Sequence, residues 1–152
     1  MEFKDSVQDV YFCVQHGDCH NMNFFWTEAG PRVIDLDTIK EYPLFFDIIY
    51  YVHSFMSDKA FEVFSSTSFL NKAEETLDRL GIPREENPLD RYLAAYVYTR
   101  SNRMDYNTPY RHLRFSLIGI TAADLSKYPM TAAAVQEYRR RVKHYGRRLT
   151  AW

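Results

Sequence analysis

Two segments carry residue types and spacings that could do chemistry together: His16-Gly17-Asp18-Cys19-His20-Asn21-Met22-Asn23 and Val33-Ile34-Asp35-Leu36-Asp37. A β-prone hairpin joins them, so Asp18, Asn23 and Asp35 can converge on one side of it. A hard cation such as Mg²⁺ prefers oxygen ligands and takes few from protein, leaving the rest to water and phosphate. Asn23 offers a carbonyl oxygen and Asp35 a carboxylate. Asp18 is then free to accept a proton from a hydroxyl. That set suits phosphoryl transfer, where positioning and charge neutralisation dominate. Taken singly, Asp18 reads as a turn residue, Asp35 as a strand-end cap and Asn23 as a loop hydrogen-bonder. Cys13, His16, Cys19 and His20 suggest zinc, but their spacing fits no usual pair of ligand pairs.

The elements that must position these residues are short. Val10 to Val14 is an apolar β-prone run and predicts a buried strand. Asn23 to Thr27 and Arg32 to Leu36 predict two more strands around a Glu28-Ala29-Gly30-Pro31 turn. After Pro43 the pattern becomes helical. Helices are expected over Leu44 to Met56 and Asp58 to Leu80, the second ended by Gly81 and Pro83. A third is expected over Pro88 to Arg100 with Asn87 as its cap, then a loop over Ser101 to Pro109. Tyr110 to Ser126 is expected as a fourth, or as two broken near Gly119, and Thr131 as the cap of a last helix reaching about Leu149. One small β region followed by several helices predicts an α+β fold, mainly helical, in a single domain spanning 1–152.

Composition narrows the function classes. The 152 residues are 46% hydrophobic and 16% aromatic, with a formal net charge of −1. No global pull toward nucleic acid follows from that balance. The end of the chain is basic, with Arg139, Arg140, Arg141, Lys143, Arg147 and Arg148 against Glu137, which reads as a solvated helix face. Two cysteines, Cys13 and Cys19, make no disulfide framework and suit a reducing cytoplasm. There is no apolar run long enough for a membrane span. His53, His112 and His144 show no partners in the sequence and read as ordinary satisfied or solvated side chains.

His-x-Asp-x-x-x-x-Asn is the spacing of the kinase catalytic loop. The version here, with His20 after Asp18, resembles that of aminoglycoside phosphotransferases and of choline and homoserine kinases. Ile34-Asp35-Leu36 resembles the Ile-Asp segment that follows the hairpin in those families. Phe46-Asp47-Ile48 resembles their later helix-start aspartate. The resemblance implies a kinase-like C-terminal lobe, with the hairpin carrying the catalytic loop and a bundle of helices after it. It implies Asp18 as the catalytic base and Asn23 and Asp35 as Mg²⁺ ligands. His16 would brace the backbone near Asp35, and His20 would support the loop. Asp37 would stand just beyond the metal's own ligands, and Asp47 would tie the helix start to the loop. ATP or another nucleoside triphosphate is the implied phosphate donor, and a small-molecule alcohol the acceptor: an aminoglycoside, a choline-like amine or a sugar.

Such kinases hold ATP with a Gly-rich loop and a strand lysine upstream of the catalytic loop. No Gly precedes Gly17, and Lys4 has no strand around it. The N-terminal lobe is therefore expected from elsewhere, in cis or in trans, and the chain alone is expected to turn over little. Its lobe-facing surface is expected to be apolar and to promote self-association. The aromatic content leans toward a cationic amine acceptor, with Asp105, Tyr106 and Tyr110 as candidate pocket residues. A truncated, pseudokinase-like binding module is the alternative reading.

Overall fold

The strand expected near the start forms as β1, Phe12–Gln15. The structure is a computed structural model, and it describes residues 10–56, 59–83, 88–102 and 126–149. β1 is not buried as the sequence predicts. Among the described residues it pairs antiparallel with one strand, β4 (Lys40–Pro43), in the register Phe12↔Pro43 to Gln15↔Lys40. Alternation along the strand turns Cys13 toward the core, while Phe12 and Val14 are 54% and 69% exposed.

β2 (Phe24–Thr27) and β3 (Gly30–Val33) form the expected hairpin, paired from Phe24↔Val33 to Thr27↔Gly30. Its turn is only Glu28-Ala29, so Gly30 and Pro31 belong to the strand rather than to the turn. β3 also stops at Val33, short of the predicted Leu36. There Asp35 adopts a left-handed backbone, φ 60° and ψ 67°, and Leu36–Thr38 coils into one 3-10 turn. Aspartate tolerates that conformation better than most residues.

α1 (Phe46–Met56) buries Phe46, Ile49 and Val52, three residues apart on one helix face. The single helix expected over 58–80 is two: α2 (Ala60–Phe64) and α3 (Thr67–Arg79). Ser66 breaks it, with an extended backbone and a side-chain oxygen that accepts from the Phe69 N–H. α3 ends at Gly81, φ 67°. The Gly81 N–H bonds to the Asp78 carbonyl and the Ile82 N–H to the Leu77 carbonyl, the Schellman pattern that a left-handed glycine permits.

α4 (Pro88–Asn102) is the central helix, with every residue from Tyr92 to Val97 buried. It packs along α5 (Pro129–Leu149), which buries Ala134, Val135 and Tyr138. Thr131 lies inside α5 and does not cap it. The cap comes from across the interface: Asp90 on α4, 2% exposed, accepts from the Met130 and Thr131 N–H groups at 2.8 Å each and from the Thr131 hydroxyl at 2.6 Å. The fold is thus α+β and mainly helical, with two small antiparallel ribbons. α4 continues through Ser101 and Asn102, where a loop is predicted. The rest of that loop, the fourth predicted helix up to Thr121–Leu125, Asn87, Asp105, Tyr106, Tyr110 and His112 lie outside the described residues. Among the described residues no helix is long and apolar enough to cross a membrane.

Candidate catalytic loop

The loop after β1 is clamped to the start of α1. Asp47, in the first turn, accepts from the His16 N–H and the Gly17 N–H, both at 2.7 Å, one on each carboxylate oxygen. Gln15 returns the tie, its Oε1 accepting from the Asp47 N–H at 3.1 Å and its Nε2 donating to the Pro43 carbonyl at 2.7 Å. Gly17 has φ +80°, and a Cβ there would overlap the Tyr42 ring, so no other residue fits this bend. Tyr42 is buried and stacks on Phe46 with centroids 4.4 Å apart. Its hydroxyl donates to the Thr38 carbonyl at 3.0 Å, and the Thr38 hydroxyl donates to the His16 carbonyl at 2.6 Å.

His16 spans the two chemical segments. Its Nδ1 accepts from the Asp18 N–H at 3.2 Å, so the ring proton sits on Nε2, which donates to the Ile34 carbonyl at 2.7 Å. The residue before Asp35 is thereby fixed to the loop that carries Asp18. The Asp35 side chain is exposed and takes no hydrogen bond from the described residues. Asp37 is exposed in the adjoining 3-10 turn.

Asp18 is the most heavily bonded carboxylate facing the open side of the loop. Its Oδ1 accepts from the Tyr50 hydroxyl at 2.9 Å. Its Oδ2 accepts from Asn23 Nδ2 at 3.4 Å and lies 3.5 Å from His20 Nε2. His20 Nδ1 accepts from the Met22 N–H at 3.1 Å, which leaves the proton on the nitrogen that faces Asp18. A third of the Asp18 side chain, 33%, remains exposed, enough for a hydroxyl to reach it. Asn23 is buried, and its Nδ2 also donates to the Asp18 carbonyl at 3.1 Å.

Asn23 and Asp35 stand at the two ends of the hairpin base, joined by an Ile34 N–H to Asn23 carbonyl bond of 3.1 Å. The Asn23 amide spends its N–H groups on Asp18 and keeps Oδ1 uncommitted among the described residues. One amide oxygen and one unpaired carboxylate fit a hard cation that keeps water and phosphate as its other ligands. Among the described residues no three His, Cys, Asp or Glu side chains gather into a metal cage. Cys13 and Cys19 are free thiols. Burial, reinforced by Asp47 and Asp18, pushes the Cys19 thiol up to about 11.

Tyr50 and Arg100 are the site residues that sequence reasoning missed. Tyr50 falls one helical turn after Asp47, inside a run that reads as core. Burial, with Asp18 adding, raises its pKa, while Arg100 opposes the shift. The Arg100 guanidinium carbon lies 4.3 Å from the Tyr50 ring centroid. His53 is satisfied by Tyr96, with its Nδ1 2.9 Å from that hydroxyl. On the strands and turns around the loop, Phe12, Val14, Phe25, Ile34, Leu36 and Ile39 are exposed apolar side chains.

A profile of the phosphotransferase enzyme family matches residues 4–103, a span holding the clamped loop, the hairpin, Asp35, Asp47 and Tyr50. No curated protein and no solved structure matches the chain. On the strength of that match over most of its length, the chain belongs to the phosphotransferase enzyme family.

Proposed function

We propose that this chain carries the catalytic loop of an ATP-dependent phosphotransferase acting on a hydroxyl of a small molecule. The observation that carries the reading is the Asp18 carboxylate, held by Tyr50, Asn23 and His20 yet a third exposed, one hairpin away from the unpaired Asp35. Asp18 orients the acceptor hydroxyl and takes its proton as the new O–P bond forms and the bond to the departing ADP breaks. Asn23 and Asp35 would hold Mg²⁺, which, when bound, neutralises charge on the phosphate oxygens. His16 keeps the Asp35 segment in register with the loop, His20 steadies Asp18, and Asp37 orders water beside the metal ligands. Asp47 is structural and holds the loop backbone.

The apolar surface of Phe12, Val14, Phe25, Ile34, Leu36 and Ile39 is the floor beneath an ATP-holding lobe supplied in cis or in trans. The kinase-like lobe architecture and a cytoplasmic setting, suited to the free Cys13 and Cys19, belong to the same reading. Calorimetric titration of Mg-ATP tests it, first into the chain and then into the chain joined to such a lobe. Binding that vanishes in Asp35→Ala is expected, and in the joined protein Asp18→Asn should lower phosphate transfer by about 10²–10⁴-fold. Binding indifferent to Asp35, or transfer indifferent to Asp18, sinks the proposal.

A further inference from the structure

Arg100 stands near the C-terminal end of α4, partly buried. Its guanidinium lies over the Tyr50 ring at 4.3 Å, and the Tyr50 hydroxyl donates to Asp18 at 2.9 Å. One phenol therefore separates this cation from the carboxylate proposed to receive the acceptor hydroxyl. Arg100 forms no ion pair with any described residue. The carboxylate nearest along this chain of contacts, Asp18, is engaged by Tyr50, Asn23 and His20. Both Tyr50 and the buried Tyr96 feel the charge, which pulls against the upward shift that burial imposes on them.

A guanidinium drawn partly out of water with no counter-ion among the described residues is costly. Tyr50 engages the face of the guanidinium and part of its donor edge, but one phenol cannot take up five N–H donors, and a planar pair of them matches the two oxygens of a carboxylate or phosphate. An anionic acceptor would otherwise be repelled by Asp18 and by a triphosphate. A cation one phenol away from Asp18 offsets that penalty, whereas a cationic acceptor would meet Arg100 as a like charge. Resting on the phosphotransferase reading above, we infer that Arg100 receives an anionic group of the acceptor, so that the substrate is an alcohol bearing a carboxylate or phosphate. The aromatic composition alone points instead to an amine. What decides against the amine is the cation that the fold stacks on Tyr50, the phenol bonded to Asp18.

Binding titrations on the full chain test this without requiring turnover. The probes are glycerate and glycerol 3-phosphate as anionic alcohols, with glycerol and choline as neutral and cationic counterparts. At least one anionic alcohol should bind more tightly than glycerol and choline. Arg100→Gln should weaken that binding by about tenfold or more. Arg100→Lys keeps the charge but loses the planar fork, and it decides the matter if Arg100→Gln does not fold. With Lys, a greater loss for glycerate than for glycerol 3-phosphate marks a carboxylate as the recognised group, and the reverse marks a phosphate. Equal affinity in the wild type and both Arg100 variants, tighter binding of choline, or no binding of either anionic probe overturns the inference. Because no phosphate transfer is read, failure of transfer would sink the phosphotransferase reading separately, leaving this titration to judge Arg100 alone.

Discussion

Cys19 follows Asp18 directly, and its thiol feels both Asp18 and Asp47. With the folded value raised from 9.0 to about 11, the thiolate is scarce at pH 9 in the folded chain and abundant in the unfolded one. Iodoacetamide labelling in a Cys13→Ser background should therefore be slow at pH 9 and rise only as the pH approaches the folded value. A half-maximal rate near the ordinary thiol pKa would show that the loop is not closed around Cys19. The linkage sign agrees. Because the folded pKa is the higher one, this group's contribution to stability is complete below the unfolded pKa of 9.0 and lost as pH rises through about 11. At this scale the sequence was most legible where partners are close along the chain. Asp18, Asn23 and Asp35 declare themselves by spacing around one hairpin. Tyr50 and Arg100 do not, because helix packing brings Tyr50 to Asp18 and Arg100 to Tyr50 from distant positions. Gly17 is plain as a loop glycine, but the reason it must be glycine is the Tyr42 ring, which only the fold brings there.

Among the elements, those with strong periodicity or terminal signals were legible, and those defined by a partner were not. α1 and α4 follow their apolar pattern, and Gly81 ends α3 where the sequence places the stop. β4 escaped notice because Lys40 and Glu41 are polar and exposed; it is a strand because β1 pairs with it. The break at Ser65-Ser66 was hidden because serine is tolerated inside helices as well as at their caps. The Thr131 cap was misassigned because its true partner, Asp90, is on another helix. Asp90 fixes the start of α5 against α4. Asp90→Ala leaves two N–H groups and a hydroxyl without that partner in a buried place, and should cost about 3 kcal/mol or more. Urea denaturation measures it; a change within about 0.5 kcal/mol would mean that the interface closes without this cap.

For the molecule as a whole, the uneven coverage of the ribbons is the governing feature. Val14 and Phe12 on β1 and Leu36 in the 3-10 turn are 69%, 54% and 57% exposed. A patch of this kind should make the chain associate with itself, so sedimentation velocity should show mass rising with concentration. Val14→Lys, which places a charge on an outward strand position, should hold the chain monomeric. A wild type that stays monomeric throughout the concentration series would show that the patch is not adhesive.

The two amide bonds that Asp47 receives from His16 and Gly17 tie the order of the loop to the docking of a helix. Partial melting that peels α1 from the ribbon removes both anchors at once, along with the Tyr50 hydroxyl that steadies Asp18. Loss of activity on gentle heating would then precede loss of most helix, and it would be abrupt, since half-undocking leaves no intermediate geometry for Asp18 to occupy.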